Sequence, residues 1–324
     1  MATVHETERL RVFARRSAAV GFVAWVLMLL TITTDSHETE LIHKVVFFAM
    51  LVIVPLALSL VTAGDERGNL RLYSWAVIIQ PIAAVVTIAS FFFEKGLLSA
   101  SLSSAWLILS SLIALFGLTR LVARGVFPVQ EASVDAGLLY LSVASVWLVI
   151  YRFGVQPFDY GETIILLTVV HFHFAGFAAP IIAGMVGRTL STTNPPSKTY
   201  SVMVVSIVAA MPLIAAGITF SPWLGLIGTF LLAAALAILA VLTIRRVLPA
   251  TASLSARLLL LLAALSSCTA MVLACLYAYS IVAHTVILRI PTMAMTHGLL
   301  NAFGFSASSL LAWSMISRVG ERRQ

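Results

Sequence analysis

The sequence predicts an all-α, polytopic transmembrane helical bundle of about ten spans, and three observations predict it. Hydrophobic residues make up 60% of the 324 residues and charged residues 10%, against roughly 45–50% and about 25% in soluble domains. The apolar residues gather into ten runs, each near the about 20 residues that cross a bilayer. The basic residues alternate between loops as the positive-inside rule requires. A soluble protein of this size has too little interior for so much apolar surface. The same figures exclude disorder and nucleic-acid-binding modules. The partner they imply is the lipid bilayer.

The runs fall near 17–34, 41–63, 72–92, 98–120, 132–151, 162–187, 200–218, 222–246, 256–282 and 292–317, and read as a single integral membrane domain over 1–324. An acidic loop and further spans follow the first run, so it reads as a spanning anchor rather than a cleaved signal peptide. The second begins in the ionisable stretch Asp35-Ser36-His37-Glu38-Thr39-Glu40-Leu41-Ile42-His43-Lys44. The third carries Gln80-Pro81, read as a kink with a satisfied amide. The fourth is uninterrupted. In the fifth, Asp135 lies one turn inside, where it caps the helix or pairs with Arg124. The sixth holds His171 and His173, with Pro180 expected to kink it one turn below. Only Phe220-Ser221-Pro222-Trp223 separates the seventh from the eighth, and Pro222 suits a first helical turn. Cys268 and Cys275 in the ninth stand about 10.5 Å apart along a helix, too far for a disulfide. The tenth carries His297 and Asn301.

Orientation follows from charge. With a cytoplasmic N-terminus, sixteen of the 20 Lys and Arg residues fall on inner segments, and only Lys44, Lys95, Arg152 and Arg289 fall outside. Both termini therefore read as cytoplasmic. The turn-forming Asn194-Pro195-Pro196-Ser197 after the sixth span is an inner loop.

Six of the thirteen acids fall on the outer side: Asp35, Glu38, Glu40, Glu94, Asp159 and Glu162. His37, His43 and His284 accompany them. Glu40, His43 and Lys44 run into the second span, so with Glu162 they form a candidate acid–base rim over an outward-opening cavity. Tyr151 with Trp147, and Tyr277 with Tyr279, read as interfacial-belt aromatics or as cavity lining. Arg289 either pairs with an outer acid or holds an anionic head group.

His171 lies about nine residues, or roughly 13 Å, below the outer end of its span, close to the midplane of a roughly 30 Å core. Ionisable side chains at that depth are costly and functional by default. His171 and His173 are two apart, about 200° around a helix, so both face one small site only if the helix is distorted. His297 and Asn301 are four apart and share a face. The two histidine-bearing helices are expected to share a site.

The blocks His171-Phe172-His173-Phe174-Ala175-Gly176-Phe177-Ala178-Ala179-Pro180 and Thr296-His297-Gly298-Leu299-Leu300-Asn301-Ala302-Phe303-Gly304-Phe305 resemble those of the YndJ-like family of bacterial membrane proteins. The resemblance extends to the run from Phe47 to Leu56. It implies that the histidine blocks belong together, in a multi-pass protein of a bacterial inner (cytoplasmic) membrane. It implies no activity.

Residue chemistry narrows the function. The His-Glu-x-x-His helix of zinc proteases, the Gly-x-Ser-x-Gly elbow and a phosphate loop are missing from the sequence. Histidines on two helices suit haem or another metal, but no carboxylate stands near them in sequence to support one. Below His173 and Asn301 the inner half is apolar apart from hydroxyls and Asp135, which fits a closed pocket better than a transport path. The expected activity is that of a cofactor-independent membrane enzyme of cyclase, isomerase or epoxide-opening type. Its substrate is apolar and isoprenoid-, polyketide- or lipid-like. The expected catalytic groups are Glu40, His43, Glu162, His171, His173, His297 and Asn301. Tyr151, Tyr277, Tyr279 and Arg289 are the expected substrate contacts. No metal or cofactor is expected. Transport of a small or lipophilic molecule is the alternative, and haem or metal binding the second. The sequence does not fix the oligomeric state.

Overall fold

The computed structural model describes residues 2–31, 37–62, 69–191 and 197–321. Asp35, Arg67, Asn194, Pro195, Pro196, Arg322 and Arg323 lie outside them, as do the side chains of His37, Glu38 and Arg318. Among the described residues the chain is all-helical. Ten helices are long and apolar enough to cross a membrane: His5–Leu30, Thr39–Val61, Leu70–Phe92, Leu97–Arg124, Val129–Phe153, Glu162–Leu190, Lys198–Thr219, Pro222–Ala250, Leu254–Val282 and Ile290–Ser317. The protein is a multi-pass membrane protein.

Each helix overlaps its expected run, and most extend beyond it. The first starts well before residue 17 and carries Arg9, Arg11, Arg15 and Arg16. A hydropathy window stops at charge, but the i→i−4 ladder does not. Arg15 is even buried, at 7% exposure. The seventh and eighth helices meet in the expected tight turn, with Pro222 in the first turn of the eighth.

The spans are broken by wide π-helical turns at Ala49–Ile53, Phe172–Ala178, Thr243–Val247, Ala294–Gly298 and Leu300–Ala307. The first three share a cause. Each ends two residues before a proline: Pro55, Pro180 and Pro249. Proline donates no N–H to the i−4 carbonyl, and its ring collides with that carbonyl. A wider turn relieves the collision. The interruption expected at Pro180 thus takes the form of a π segment directly before it. The two π segments of the tenth span carry Gly298 and Gly304 instead.

The chain divides into two compact units. The first comprises Met1–Val126 and Asp135–Ala178; the second comprises Phe127–Val134 and Ala179–Gln324. In the first unit the π segment of the second span lies at the centre. All of Ala49–Ile53 is buried. Gly21 of the first span packs on it so closely that a Cβ would come within 2.1 Å of the Leu51 carbonyl oxygen. Gln80 Nε2 donates to the Met50 carbonyl at 2.7 Å, so the third span supplies a donor to this irregular turn. At the end of the unit that carries residues 120–124, Asp135 is wholly buried. It is ion-paired with Arg120 at 2.8 Å and with Arg124. Arg120 also donates to the Val61 carbonyl at 2.7 Å. Pairing with Arg124 was one of the two sequence expectations; the Arg120 partner is additional.

In the second unit, small residues let backbones touch. A Cβ on Gly217 would stand 2.2 Å from Gly225 Cα, which joins the seventh and eighth spans. Arg188 grips Glu131 through Nε and Nη2 at 2.6 and 2.7 Å, and Tyr200 Oη donates to the Ala183 carbonyl at 2.8 Å. Cys268 and Cys275 are free thiols.

Candidate functional site

The polar cluster at the Lys95 end of the first unit is built from three spans and one loop. The fifth span ends at Phe153, and Gly154 turns the chain with φ +84°. A Cβ at Gly154 would stand 3.4 Å from Lys95 Cβ. The Gly96 N–H donates to the Arg152 carbonyl at 3.0 Å. These contacts stitch the loop between the third and fourth spans onto the end of the fifth. They hold Lys95 with its Nζ 4.4 Å from the centre of the Tyr151 ring. Lys95 pairs with Glu162, the first residue of the sixth span, at 2.5 Å.

His43, half-buried on the second span, completes the cluster. Its Nε2 lies 2.8 Å from Tyr151 Oη, and Tyr151 is 4% exposed. The His43 ring meets Phe91 edge-on at 4.9 Å. The next residue, Lys44, is ion-paired with Glu40 one turn before it, and the Lys44 carbonyl accepts from Trp25 Nε1 at 2.7 Å. Arg152 is buried and lies over Phe91 at 4.7 Å. The structure thus brings together Glu40, His43, Glu162 and Tyr151 from the expected set, with Lys44, Lys95 and Arg152. Both carboxylates are engaged by lysines. The polar contact of the cluster that is not an ion pair is the His43–Tyr151 hydrogen bond.

The histidines of the sixth span have separate roles. The π segment begins between them, at Phe172. His173 is wholly buried. Its Nδ1 lies 2.8 Å from the Val169 carbonyl, which only accepts, so Nδ1 carries the hydrogen. Nε2 then accepts from the indole N–H of Trp106 at 3.1 Å. Both ring nitrogens are occupied, which is the arrangement of a structural histidine. His171 is exposed and bonds the Leu167 carbonyl through Nδ1 at 2.7 Å.

His297 and Asn301 belong to the second unit. They are in contact, as their spacing predicts: Asn301 Nδ2 donates to the His297 carbonyl at 3.0 Å and lies 3.2 Å from His297 Nε2. His297 Nδ1 donates to the Ala270 carbonyl of the ninth span at 2.8 Å. This polar pair ties the ninth span to the tenth where the latter is π-helical. Tyr277, Tyr279 and Arg289 also lie in this unit, with Tyr279 and Arg289 exposed. Among the described residues, no three His, Cys, Asp or Glu side chains converge as a metal would need.

Sequence reasoning missed Trp106 as the partner of His173 and Arg152 as a buried cation. It also read Tyr151 first as a belt residue, where the structure buries it. The signal in each case was weak: a polar group inside an apolar run, with no spacing to name its partner.

Comparison with known proteins fits this architecture. A family described as "YndJ-like protein" matches residues 44–305. "Uncharacterized membrane protein YndJ" of Bacillus subtilis (strain 168) is 27% identical over 297 residues, covering 90% of this chain and 52% of that protein. The chain therefore spans about half the length of that relative. No solved structure matches. The matched region runs from Lys44 in the second span to Phe305 in the tenth and takes in both histidine blocks, and the chain belongs to the YndJ-like family.

Proposed function

We propose that this protein is a membrane-embedded acid–base enzyme of the cyclase, isomerase or epoxide-opening type. Its substrate is an apolar isoprenoid-, polyketide- or lipid-like molecule, and its centre is the His43–Tyr151 pair. The observation that carries this reading is the 2.8 Å hydrogen bond between His43 Nε2 and Tyr151 Oη, with the Lys95–Glu162 ion pair against the same ring. A phenol held by an imidazole offers a proton donor and a proton acceptor at one point. When His43 donates to Tyr151 Oη, the phenolic O–H is free for an alkene carbon or an epoxide oxygen. The proton lost later from a neighbouring substrate carbon returns to the pair, so none is consumed. Lys95 and the aromatic faces of Phe91 and Tyr151 place fixed charge and π-density around the reacting group.

Glu40 and Glu162, expected as proton donors, act in this reading through their lysines and fix the electrostatics of the rim. His173 is a positioning residue for the sixth span. His297 with Asn301 holds the π-helical part of the tenth. The Lys95 end faces outward and both termini are cytoplasmic, by the distribution of basic residues, in the cytoplasmic membrane of a bacterium. The test is turnover of candidate isoprenoid, polyketide and lipid epoxides and alkenes by the purified full chain, its Tyr151→Phe variant and its His43→Gln variant. General acid–base groups contribute about 10²–10⁴-fold, so each variant should lose at least about a hundredfold.

A second reading has one observation in its favour. Each unit contains π-interrupted spans, and broken helices mark the sites of many transporters. Flux of a lipophilic solute across vesicles, unchanged in Tyr151→Phe, would favour transport over catalysis.

A further inference from the structure

We propose that Arg152 and Lys95 together receive the oxyanion of an amphiphilic substrate, a carboxylate or phosphate carried on an apolar chain. This names the substrate class of the acid–base site and rests on that reading for the chemistry that follows binding. The binding itself rests on Arg152.

Arg152 is 4% exposed. Its Nη2 carries three bonds, to the Ser90 carbonyl at 2.6 Å, the Phe93 carbonyl at 2.7 Å and Ser99 Oγ at 3.2 Å. Its Nε is buried without an acceptor. Among the described residues no carboxylate lies within ion-pair distance of it, whereas Lys44 and Lys95 each have one. A buried cation without a counterion is costly, and a guanidinium keeps N–H donors on its other nitrogens besides those that Nη2 uses. The position is also informative. The guanidinium stands 4.7 Å from the Phe91 ring centre and 6.0 Å from that of Tyr151. Lys95 Nζ stands 4.4 Å from the same Tyr151 ring, whose hydroxyl meets His43. An anion held by the two cations therefore sits one ring away from the acid–base pair.

The apolar half of the substrate has a matching surface. Phe92, Phe93, Leu97 and Leu98 flank Lys95 in sequence and are 63%, 49%, 75% and 57% exposed. A chain lying in the bilayer against them would place its head group at Lys95 and Arg152.

The experiment measures binding of dodecanoate, dodecyl phosphate, dodecanol, acetate and inorganic phosphate to the full chain in nanodiscs by native mass spectrometry. Both anionic amphiphiles should bind at least about tenfold more tightly than dodecanol, acetate or inorganic phosphate. Lys95→Gln, at a partly exposed position, should erase most of the preference for dodecanoate over dodecanol. Arg152→Lys keeps the charge but loses the guanidinium's spare donors and should reduce the preference as well. Equal binding of dodecanol and dodecanoate, or a preference unchanged in both cation variants, would overturn the proposal. Acetate or inorganic phosphate binding as tightly as the amphiphiles would overturn it too, by making the ligand a soluble anion. Failure here, with turnover still dependent on His43, leaves the acid–base reading standing. Anion preference with turnover indifferent to His43 does the reverse.

Discussion

Trp106 donates its indole N–H to Nε2 of His173 at 3.1 Å, inside the first unit and away from solvent. Neither group has water to fall back on. Trp106→Phe removes the donor and leaves a buried nitrogen unsatisfied, which costs about 1–3 kcal/mol. The purified variant should unfold at lower temperature, while losing much less turnover than Tyr151→Phe. A loss of turnover as large as that of Tyr151→Phe, at unchanged thermal stability, would mean that His173 takes part in the chemistry.

The Gln80 amide has a similar task at the π segment of the second span, where it donates to the Met50 carbonyl. Gln80→Leu fits the apolar surroundings but deprives that carbonyl of its donor. Destabilisation of about 1–3 kcal/mol is expected, read as a fall in the midpoint of thermal or denaturant unfolding. An unchanged midpoint would show that the π turn does not depend on the third span.

Asp135 with Arg120 and Arg124 forms a buried ionic cluster in the first unit. Asp135→Asn leaves Arg120 buried opposite a neutral amide, and breaking such a pair costs about 3–5 kcal/mol. The expected result is little folded protein at the growth temperature. Asp135→Leu combined with Arg120→Met should recover part of the loss, because both charges leave together. Normal yield and stability of Asp135→Asn would contradict this account.

Much of the architecture was legible in the sequence, and much of the site was not. The bilayer imposes a length and a composition on each span, so ten runs gave ten helices. The spacing of His297 and Asn301 gave their contact, since a helix makes neighbours of residues four apart. Hydropathy does not say which face of a span packs against which. The His43–Tyr151 contact joins residues 108 positions apart, and neither periodicity nor charge pairs them. The same holds for Trp106 and His173, 67 positions apart. Arg15 and Arg120 read as loop charges because basic residues usually are. Here both are buried, and the stem of Arg120 reaches the Val61 carbonyl and the Asp135 carboxylate. Proline follows three of the five π segments, but of these prolines sequence alone marked only Pro180, and as a kink rather than a widened turn.

Orientation is open to a direct check. Glu94→Cys, at an exposed position between the third and fourth spans, should react with a membrane-impermeant maleimide in intact cells. Ser197→Cys, before the seventh span, should react only after the membrane is opened. Labelling of Ser197→Cys from outside would invert the topology and put the His43–Tyr151 pair at the cytoplasmic face.

The central claim is proton transfer through the His43–Tyr151 pair, and turnover in deuterated water tests it most directly. The full chain in nanodiscs is incubated with candidate alkenes of isoprenoid, polyketide and lipid type, in which the transferred deuteron ends on carbon and does not exchange, and products are read by mass spectrometry. The account predicts an isomerised or cyclised product carrying one deuterium. Its rate of formation should fall by at least about a hundredfold in Tyr151→Phe, with the fold and substrate binding retained. Product formed without deuterium, or formed at an unchanged rate by the folded Tyr151→Phe chain, would contradict it.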